Sequence, residues 1–515
     1  MINHIVIVGG GIAGLASAYY AQKKAASLDI PLKISLLEAD SYWGGKILTK
    51  RVNGFVIEGG PDTFIVTKPW AVQLCEDLGI SHRLKGTNPH QKNTYILHNN
   101  KLLPLPDGLF MMIPTNIASM IRTGLLSWSA KLRMGMDFFI PPMSENGEES
   151  LGDFVTRRLG RQAYERMVEP LMSGIYAGDG DKLSLQATFP YLRDLEIKHG
   201  GLVKGALAAR RSRAASGRKP APGSRSLFLT LKTGLAEIVE ALVAELEDAQ
   251  VDLSLNTPVV DIRQENEGYT LVLKDGQEIN TIGLILAVPS YAAGDLVAEL
   301  TPNLAQELKA IEYVTTATVS LAFRKEDLVR PLDGFGYVIP RKEGRSALAC
   351  TWTSTKFPHR APEENALLRV FIGRAGQEAQ IDWDEAELLS IARNELRLTL
   401  GISAEPLQTH VFLWEKAMPQ YNVGHVSRLS RIESELLVFA LRRGTGPRVW
   451  SPGPRFFRRS FQRRAAPPPP CHLPCSRSSS WRPHGSSQPV APRCLRSRSP
   501  HCYHRRSLAS EPRIG

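Results

Sequence analysis

Two hydrophobic rhythms run through the first 440 residues, one of period two and one of helical period. His4-Ile5-Val6-Ile7-Val8 is an apolar, β-branched run of strand length. Residues 15–24 carry helical spacing, and a second apolar run at 32–37 ends at Glu38. Trp70, Leu74 and Leu78 space a short helix over 70–80 that Gly79 closes, and 95–97 with 101–103 predict a hairpin across Asn99-Asn100. Met, Ile and Leu dominate 109–136, broken at Pro114. That run reads as helical core, with a membrane-facing or substrate-channel surface as the alternative. Residues 151–172 predict a helix with Arg157, Arg158, Arg161 and Arg166 on its polar side. The basic stretch at 203–226, with Arg210, Arg211, Arg213, Arg218 and Lys219, reads as a solvated loop, or as a contact for anionic lipid.

From Leu227 the order returns. A strand, the turn Lys232-Thr233-Gly234 and a helix to 246 precede strands at 251–255, 259–262, 269–273 and 282–288. A helix near 303–311, strands at 317–323, 336–339 and 347–353, a helix at 383–399 and a strand near 408–413 complete the pattern.

The first strand leads into Gly9-Gly10-Gly11-Ile12-Ala13-Gly14, which fits G-x-G-x-x-G through Gly9, Gly11 and Gly14. In such a turn Gly9 allows the tight bend, Gly11 admits a pyrophosphate to the backbone, and Gly14 lets the helix pack on the strand. The helix N-terminus offers N–H groups and positive dipole to the phosphates, and Glu38 is placed to accept from a ribose hydroxyl. Gly44-Gly45-Lys46 and Gly59-Gly60-Pro61-Asp62-Thr63-Phe64 follow. A nicotinamide cofactor needs no such second and third contact, whereas a tightly held flavin does, so the cofactor read here is FAD. The fold class is α/β. It is a Rossmann-like FAD-binding domain built from discontinuous segments (1–80, 227–297, 409–441), with an inserted strand-rich substrate domain (81–105, 298–408) and a helical subdomain (106–225).

Composition sharpens this in one respect. The net charge of +12 hides a tail, 442–515, that alone carries +15, so the preceding 441 residues are mildly acidic and nothing in them argues for nucleic acid. Cys75 and Cys350 lie far apart in the body, which fits a reducing compartment without disulfides. No apolar run of about 18 residues predicts a spanning helix, and a nucleotide motif opening almost at Met1 leaves no room for a targeting segment.

The block Glu169-Pro170-Leu171-Met172-Ser173-Gly174-Ile175-Tyr176-Ala177-Gly178-Asp179 is more discriminating, as are Leu183-Ser184, Phe189-Pro190, Gly334-Phe335-Gly336 with Pro340, Lys356-Phe357-Pro358, and Trp414 with Pro419-Gln420-Tyr421. With these, residues 1–430 resemble the FAD-dependent protoporphyrinogen and coproporphyrinogen III oxidases of haem biosynthesis, within the amine-oxidase-like flavoproteins. The resemblance implies that Gly9, Gly10, Gly11, Ile12, Ala13, Gly14, Glu38, Ala39, Lys46, Gly60, Pro61, Asp62 and Thr63 contact FAD. It also puts Val259 at the adenine-side backbone contact and Trp414 near the flavin. Ser173, Gly174, Ile175 and Tyr176 match a wall of the porphyrinogen pocket, and Lys68 a basic residue near a substrate propionate, unless it is simply a surface lysine.

The reaction so implied is three two-electron oxidations by hydride transfer from bridge carbons to the flavin, with dioxygen or a quinone as acceptor. It needs no protein nucleophile and no metal. A cytoplasmic monomer or homodimer is implied, with peripheral contact at the inner face of the cell membrane as an option. An amine oxidase or carotenoid desaturase is disfavoured by Ile175-Tyr176-Ala177-Gly178-Asp179; protoporphyrinogen and coproporphyrinogen are not distinguished.

Relatives of this kind end in a second flavin segment, a strand entering a glycine-bearing turn and a helix. Here Leu437-Val438-Phe439-Ala440 can supply the strand, but Arg442-Arg443-Gly444-Thr445-Gly446 does not resemble the turn, and an aperiodic Arg/Ser/Pro/Cys tail follows. Cys471 and Cys475 with nearby His fit no standard zinc spacing. The break reads as translation in a shifted frame. The chain is then either an active oxidase or the non-catalytic product of a damaged gene that holds FAD poorly.

Overall fold

Strand Asn3–Val8 lies between Leu32–Leu37 and Gly283–Leu286 in a four-stranded parallel sheet, with Asp252–Ser254 at the edge beyond Leu32–Leu37. The computed structural model describes residues 3–107, 109–110, 113–114, 116–143, 147–215, 226–265 and 268–441. Each central strand is buried and β-branched or leucine-rich, as a parallel sheet covered on both faces requires. Helix Ile12–Ala26 lays Leu15, Ala18 and Tyr19 against Ile34 and Leu36, and helix Ala236–Asp248 adds Ile238, Leu242 and Leu246 to the same core. A three-stranded antiparallel sheet (Val259–Gln264, Tyr269–Leu273, Glu278–Thr281) covers the other side through Ile262 and Leu271.

A second, seven-stranded sheet runs in the order Gln408–Pro419, Tyr313–Arg324, Asn365–Ile372, Ala347–Trp352, Gly336–Val338, Thr94–His98, Lys101–Pro104. Its pairs are antiparallel except Gly336–Val338 with Thr94–His98. The hairpin expected at 95–103 is present, and its turn residues Asn99 and Asn100 both have positive φ (50° and 59°), which matches the twist of the flanking strands. Helix Glu385–Leu400 packs Leu388, Ala392 and Leu396 on this sheet.

Several expectations need correction. Arg158 is not on a polar face: it is fully buried, its Nε donating to Asp137 Oδ1 at 2.6 Å. Nor is 151–172 one helix: Gly160, with φ 92°, ends Leu151–Leu159, and a π-helical turn at Tyr164–Val168 leads into Glu169–Tyr176. The supposed loop from 203 begins as helix Leu202–Ala215; 216–225 lies outside the described residues. Residues 437–440 are not a strand. They end helix His425–Leu441, whose Leu429, Ile432 and Leu436 fall at helical spacing against Leu304 and Leu308. Strand Asn365–Ile372, central to the larger sheet, is missing from the sequence reading because Arg369 interrupts its apolar run. What was read from 442–515, including the cysteines and the basic arm, lies outside the described residues.

The 109–136 segment, expected to be helical throughout, opens as the antiparallel strand pair Leu109–Phe110 and Ile113–Pro114, and its later helical part has two faces. Met120, Leu125, Leu126 and Met134 are core, whereas Ile121, Trp128, Leu132 and Met136 stand in solvent. Among the described residues no helix is long and apolar enough to cross a membrane.

Candidate active site

The turn after the first strand is shaped by contact with its own chain. Gly9 takes φ 105°, and a Cβ on Gly14 would fall 1.8 Å from the Gly9 carbonyl oxygen, so the helix can approach the strand here only as glycine. Gly10 is hemmed in by the Trp43 ring and Glu38. Gly11 differs: a Cβ there would meet nothing within 4 Å. It caps helix Ile12–Ala26 without a side-chain cap bond, and no acid sits in the first turn. Open space in front of uncapped N–H groups is what a pyrophosphate fits.

Glu38 stands at the end of Leu32–Leu37. Its Oε2 accepts from Gly10 N at 2.5 Å and its Oε1 from Asp40 N at 2.9 Å, which fixes the carboxylate while leaving each oxygen capacity for a hydroxyl donor. Its main-chain oxygen accepts from Thr257 N at 2.8 Å, which brings the start of Val259–Gln264 beside it. Val259 packs on Val6, Val8 and Leu37, whereas Ala39 is exposed.

Gly44 N donates to Gly10 O at 2.9 Å, joining the second glycine loop to the first. Gly44 and Gly45 face Val239 and Gly11 respectively, so both glycines serve close chain-on-chain packing. Lys46 keeps an accessible side chain, yet burial of its surroundings lowers its ammonium pKa, and no carboxylate pairs with it among the described residues. The Lys46 carbonyl would lie 1.8 Å from a Cβ on Gly60.

At the third loop, three side chains from adjacent strands of the larger sheet converge on the Gly59 carbonyl. They are Thr318 Oγ1 at 2.9 Å, Arg369 Nη2 at 2.8 Å and Trp414 Nε1 at 2.9 Å. Arg369 Nη2 also reaches Gly60 O at 2.6 Å. Pro61 is exposed. Asp62 accepts from Thr63 Oγ1 at 3.0 Å and from Lys356 Nζ at 2.8 Å. Burial works against the Asp62 carboxylate, but Lys356 and Arg369 together hold its pKa down at about 2.

The Ser173–Tyr176 stretch closes helix Glu169–Tyr176, with Ala177 left-handed at φ 49° as its cap. Ser173 is buried, Gly174 faces Val338, and Ile175 is exposed. Tyr176 stands edge-on to Phe189 (5.7 Å between ring centres) and to Tyr421 (6.1 Å). Buried Gln420 donates to the Tyr176 carbonyl at 3.0 Å, and a cavity of ≈ 240 Å³ lined by Asp179, Tyr313 and Gln420 opens beside it. Lys68 is exposed just beyond the short strand Phe64–Ile65.

The fold thus joins Gly9–Gly14, Glu38, Lys46, Gly60 and Trp414 in one run of contacts, with Tyr176 and Tyr421 on a separate aromatic wall. Lys356, Arg369 and Thr318 were not read as site residues. Lys356 had a signal in Lys356-Phe357-Pro358, and Arg369 one in a lone charge within an apolar run.

Comparison with known proteins fits this geometry. Residues 12–440 match the family model described as flavin containing amine oxidoreductase. The coproporphyrinogen III oxidase of Bacillus subtilis (strain 168) is 39% identical over 84% of this chain and 91% of its own length. That of Staphylococcus aureus is 34% identical over 85% and 92%. Protoporphyrinogen oxidase 1, chloroplastic, of Arabidopsis thaliana is 32% identical over 84% and 81%. The crystal structure of a protein from Exiguobacterium sp. 255-15 superposes with TM-score 0.73 at 33% identity, covering 85% of this chain and 92% of that one. Reduced UDP-galactopyranose mutase, at 16% identity and TM-score 0.60, shares the fold. A dinucleotide turn in a flavin-containing family makes the cofactor FAD, and this chain belongs to the flavin-containing amine oxidoreductases.

Proposed function

We propose that the chain oxidises a porphyrinogen to the porphyrin, with coproporphyrinogen III as the first substrate to test. The observation that carries this is the aromatic wall of Tyr176, Phe189 and Tyr421, held by Gln420 at one end of the sheet that also clamps Gly59. The bacterial coproporphyrinogen III oxidases at 34–39% identity support that choice over protoporphyrinogen IX.

In this reading Gly9, Gly10, Gly11, Ile12, Ala13 and Gly14 hold the pyrophosphate, Glu38 and Ala39 the adenosine ribose, and Val259 the adenine side. Lys46, Gly60, Pro61, Asp62, Thr63 and Trp414 line the flavin end. When bound, FAD supplies the hydride acceptor at each of three steps. The protein's share is orientation and exclusion of water: Ser173, Gly174, Ile175 and Tyr176 flank the macrocycle, and Lys68 meets a propionate. The domain division given above is part of the proposal, supported by the separation of the parallel and seven-stranded sheets.

Dioxygen is the proposed acceptor and the cytoplasm the proposed compartment, with the chain a monomer or homodimer. Peripheral membrane contact is supported by the exposed apolar side chains Trp128, Leu132 (75% exposed) and Phe139 (86% exposed) within one short stretch of chain.

The test is reconstitution of the purified chain with FAD, followed by flavin absorbance per protein and porphyrin fluorescence from both porphyrinogens. Bound flavin with faster turnover of coproporphyrinogen III is expected. Bound flavin with turnover of neither removes the proposal. A second reading, the product of a damaged gene, is favoured by the basic segment that begins where the resemblance ends; failure to retain FAD selects it.

A further inference from the structure

Beneath the Gly59–Gly60 turn lies a group of charges that does not balance. Arg360 (1% exposed) pairs with Glu58 at 2.7 Å, and Lys356 pairs with Asp62 at 2.8 Å. Arg369, 3% exposed, makes no ion pair among the described residues. Its guanidinium is met by the carbonyls of Gly59 and Gly60, its Nε finds no hydrogen-bond partner, and its face lies 4.8 Å from the Phe371 ring. Three cations therefore face two carboxylates. Burying a cation without a counter-ion is costly and is retained only where something offsets it.

What offsets it in part is the loop itself. Carbonyl oxygens turned to Arg369, Thr318 and Trp414 put the positive end of the Gly59–Gly60 peptide dipole on the side away from these three residues. The guanidinium and the peptide dipole thus act in the same sense.

We propose that Arg369 is a positioning residue for the flavin: it fixes the Gly59–Gly60 peptide and supplies the unmatched cation that raises the reduction potential of FAD bound against this turn. The inference rests on the reading of Gly60–Thr63 as flavin contacts. A field of this sign favours the form of the cofactor that has gained two electrons, which is the form hydride transfer from substrate must produce.

The experiment is the midpoint potential of the FAD-loaded chain, measured by dye-coupled reduction, in wild type, Arg369→Met, Arg369→Lys and Thr318→Val. Arg369→Met should shift the two-electron equilibrium at least tenfold toward oxidised flavin, about 30 mV. Arg369→Lys keeps the charge and should stay within threefold of wild type, as should Thr318→Val, which loses one bond to Gly59 but no charge. An Arg369→Met potential equal to wild type overturns the inference, and so does a Thr318→Val shift as large as that of Arg369→Met. If Arg369→Met does not fold, Lys356→Met decides: a shift toward oxidised flavin supports the role of the charge group, and no shift overturns it. A wild-type chain that takes up no FAD selects the damaged-gene reading and overturns the inference with the active-oxidase reading, a result distinct from loaded variants that share one potential.

Discussion

Gly14 sits so close to Gly9 that a methyl group on its Cα would fall 1.8 Å from the Gly9 carbonyl oxygen, whereas the same methyl on Gly11 would meet empty space. The two glycines of one motif therefore answer to different constraints, one to the protein and one to its ligand. Gly14→Ala should destabilise the chain by about 3 kcal/mol, because the helix must move off the strand. Gly11→Ala, at a φ of −68° that alanine adopts freely, should leave urea unfolding of the apo chain within about 0.5 kcal/mol and weaken FAD binding alone. Equal losses of stability in the two variants would contradict this division.

Arg158 and Asp137 form a fully buried pair, and Asp137 Oδ2 also accepts from Val203 N at 2.8 Å. Asp137→Ala takes the 2.6 Å partner from a buried guanidinium, leaving it only Glu196 at 3.5 Å, and should cost about 3 kcal/mol. Arg161, paired with Glu165 but 56% exposed, is the contrast; Arg161→Ala should cost less than about 1 kcal/mol. Chemical denaturation of both variants at neutral pH makes the comparison.

His359 carries a pH dependence. Burial, with Arg360 and Lys85, holds its imidazole pKa down to about 4. Its unfolded value is near 6.5, so between pH 6.5 and 4 the unfolded chain binds a proton that the folded chain refuses. Stability attributable to this group is therefore full above pH 6.5 and falls by up to about 3 kcal/mol as pH drops to 4. His98, His410 and His425, also lowered by burial, add to the same slope. His359→Gln should flatten the decline in denaturation midpoint over this range; an unchanged slope would assign it elsewhere.

Leu132 and Phe139 are exposed apolar side chains with no evident service to the core. Leu132→Glu combined with Phe139→Glu should leave thermal stability unchanged and abolish co-sedimentation with anionic lipid vesicles, if the wild-type chain sediments with them at low salt. Wild-type protein that stays in the supernatant would remove the membrane contact.

Local signals carried the dinucleotide turn, because the glycine spacing itself marks it, Gly14 answers to Gly9 five residues earlier, and the strands beside it are continuously apolar. The Asn99-Asn100 hairpin was legible for the same reason. What escaped was decided at long range. Arg158 looks like one more arginine on a polar face until Asp137, 21 residues earlier, is seen to meet it. Arg369 disguises a central strand, because its partners, Gly59 and Gly60, lie about 310 residues away. Leu437-Val438-Phe439-Ala440 is apolar enough for a strand, and the helical spacing of Leu429, Ile432 and Leu436 decides against it.

The pairing of Asn3–Val8 with Gly283–Leu286, and of Thr94–His98 with Gly336–Val338, has a consequence on the ribosome. At roughly 10 residues per second, the first strand waits about half a minute for its partner, and the early hairpin waits nearly as long. Throughout that interval two apolar strand edges stand open, each a template for pairing with a neighbouring nascent chain. Yield of this protein in a host should therefore depend on chaperone supply and growth temperature during synthesis, even where the finished molecule is stable.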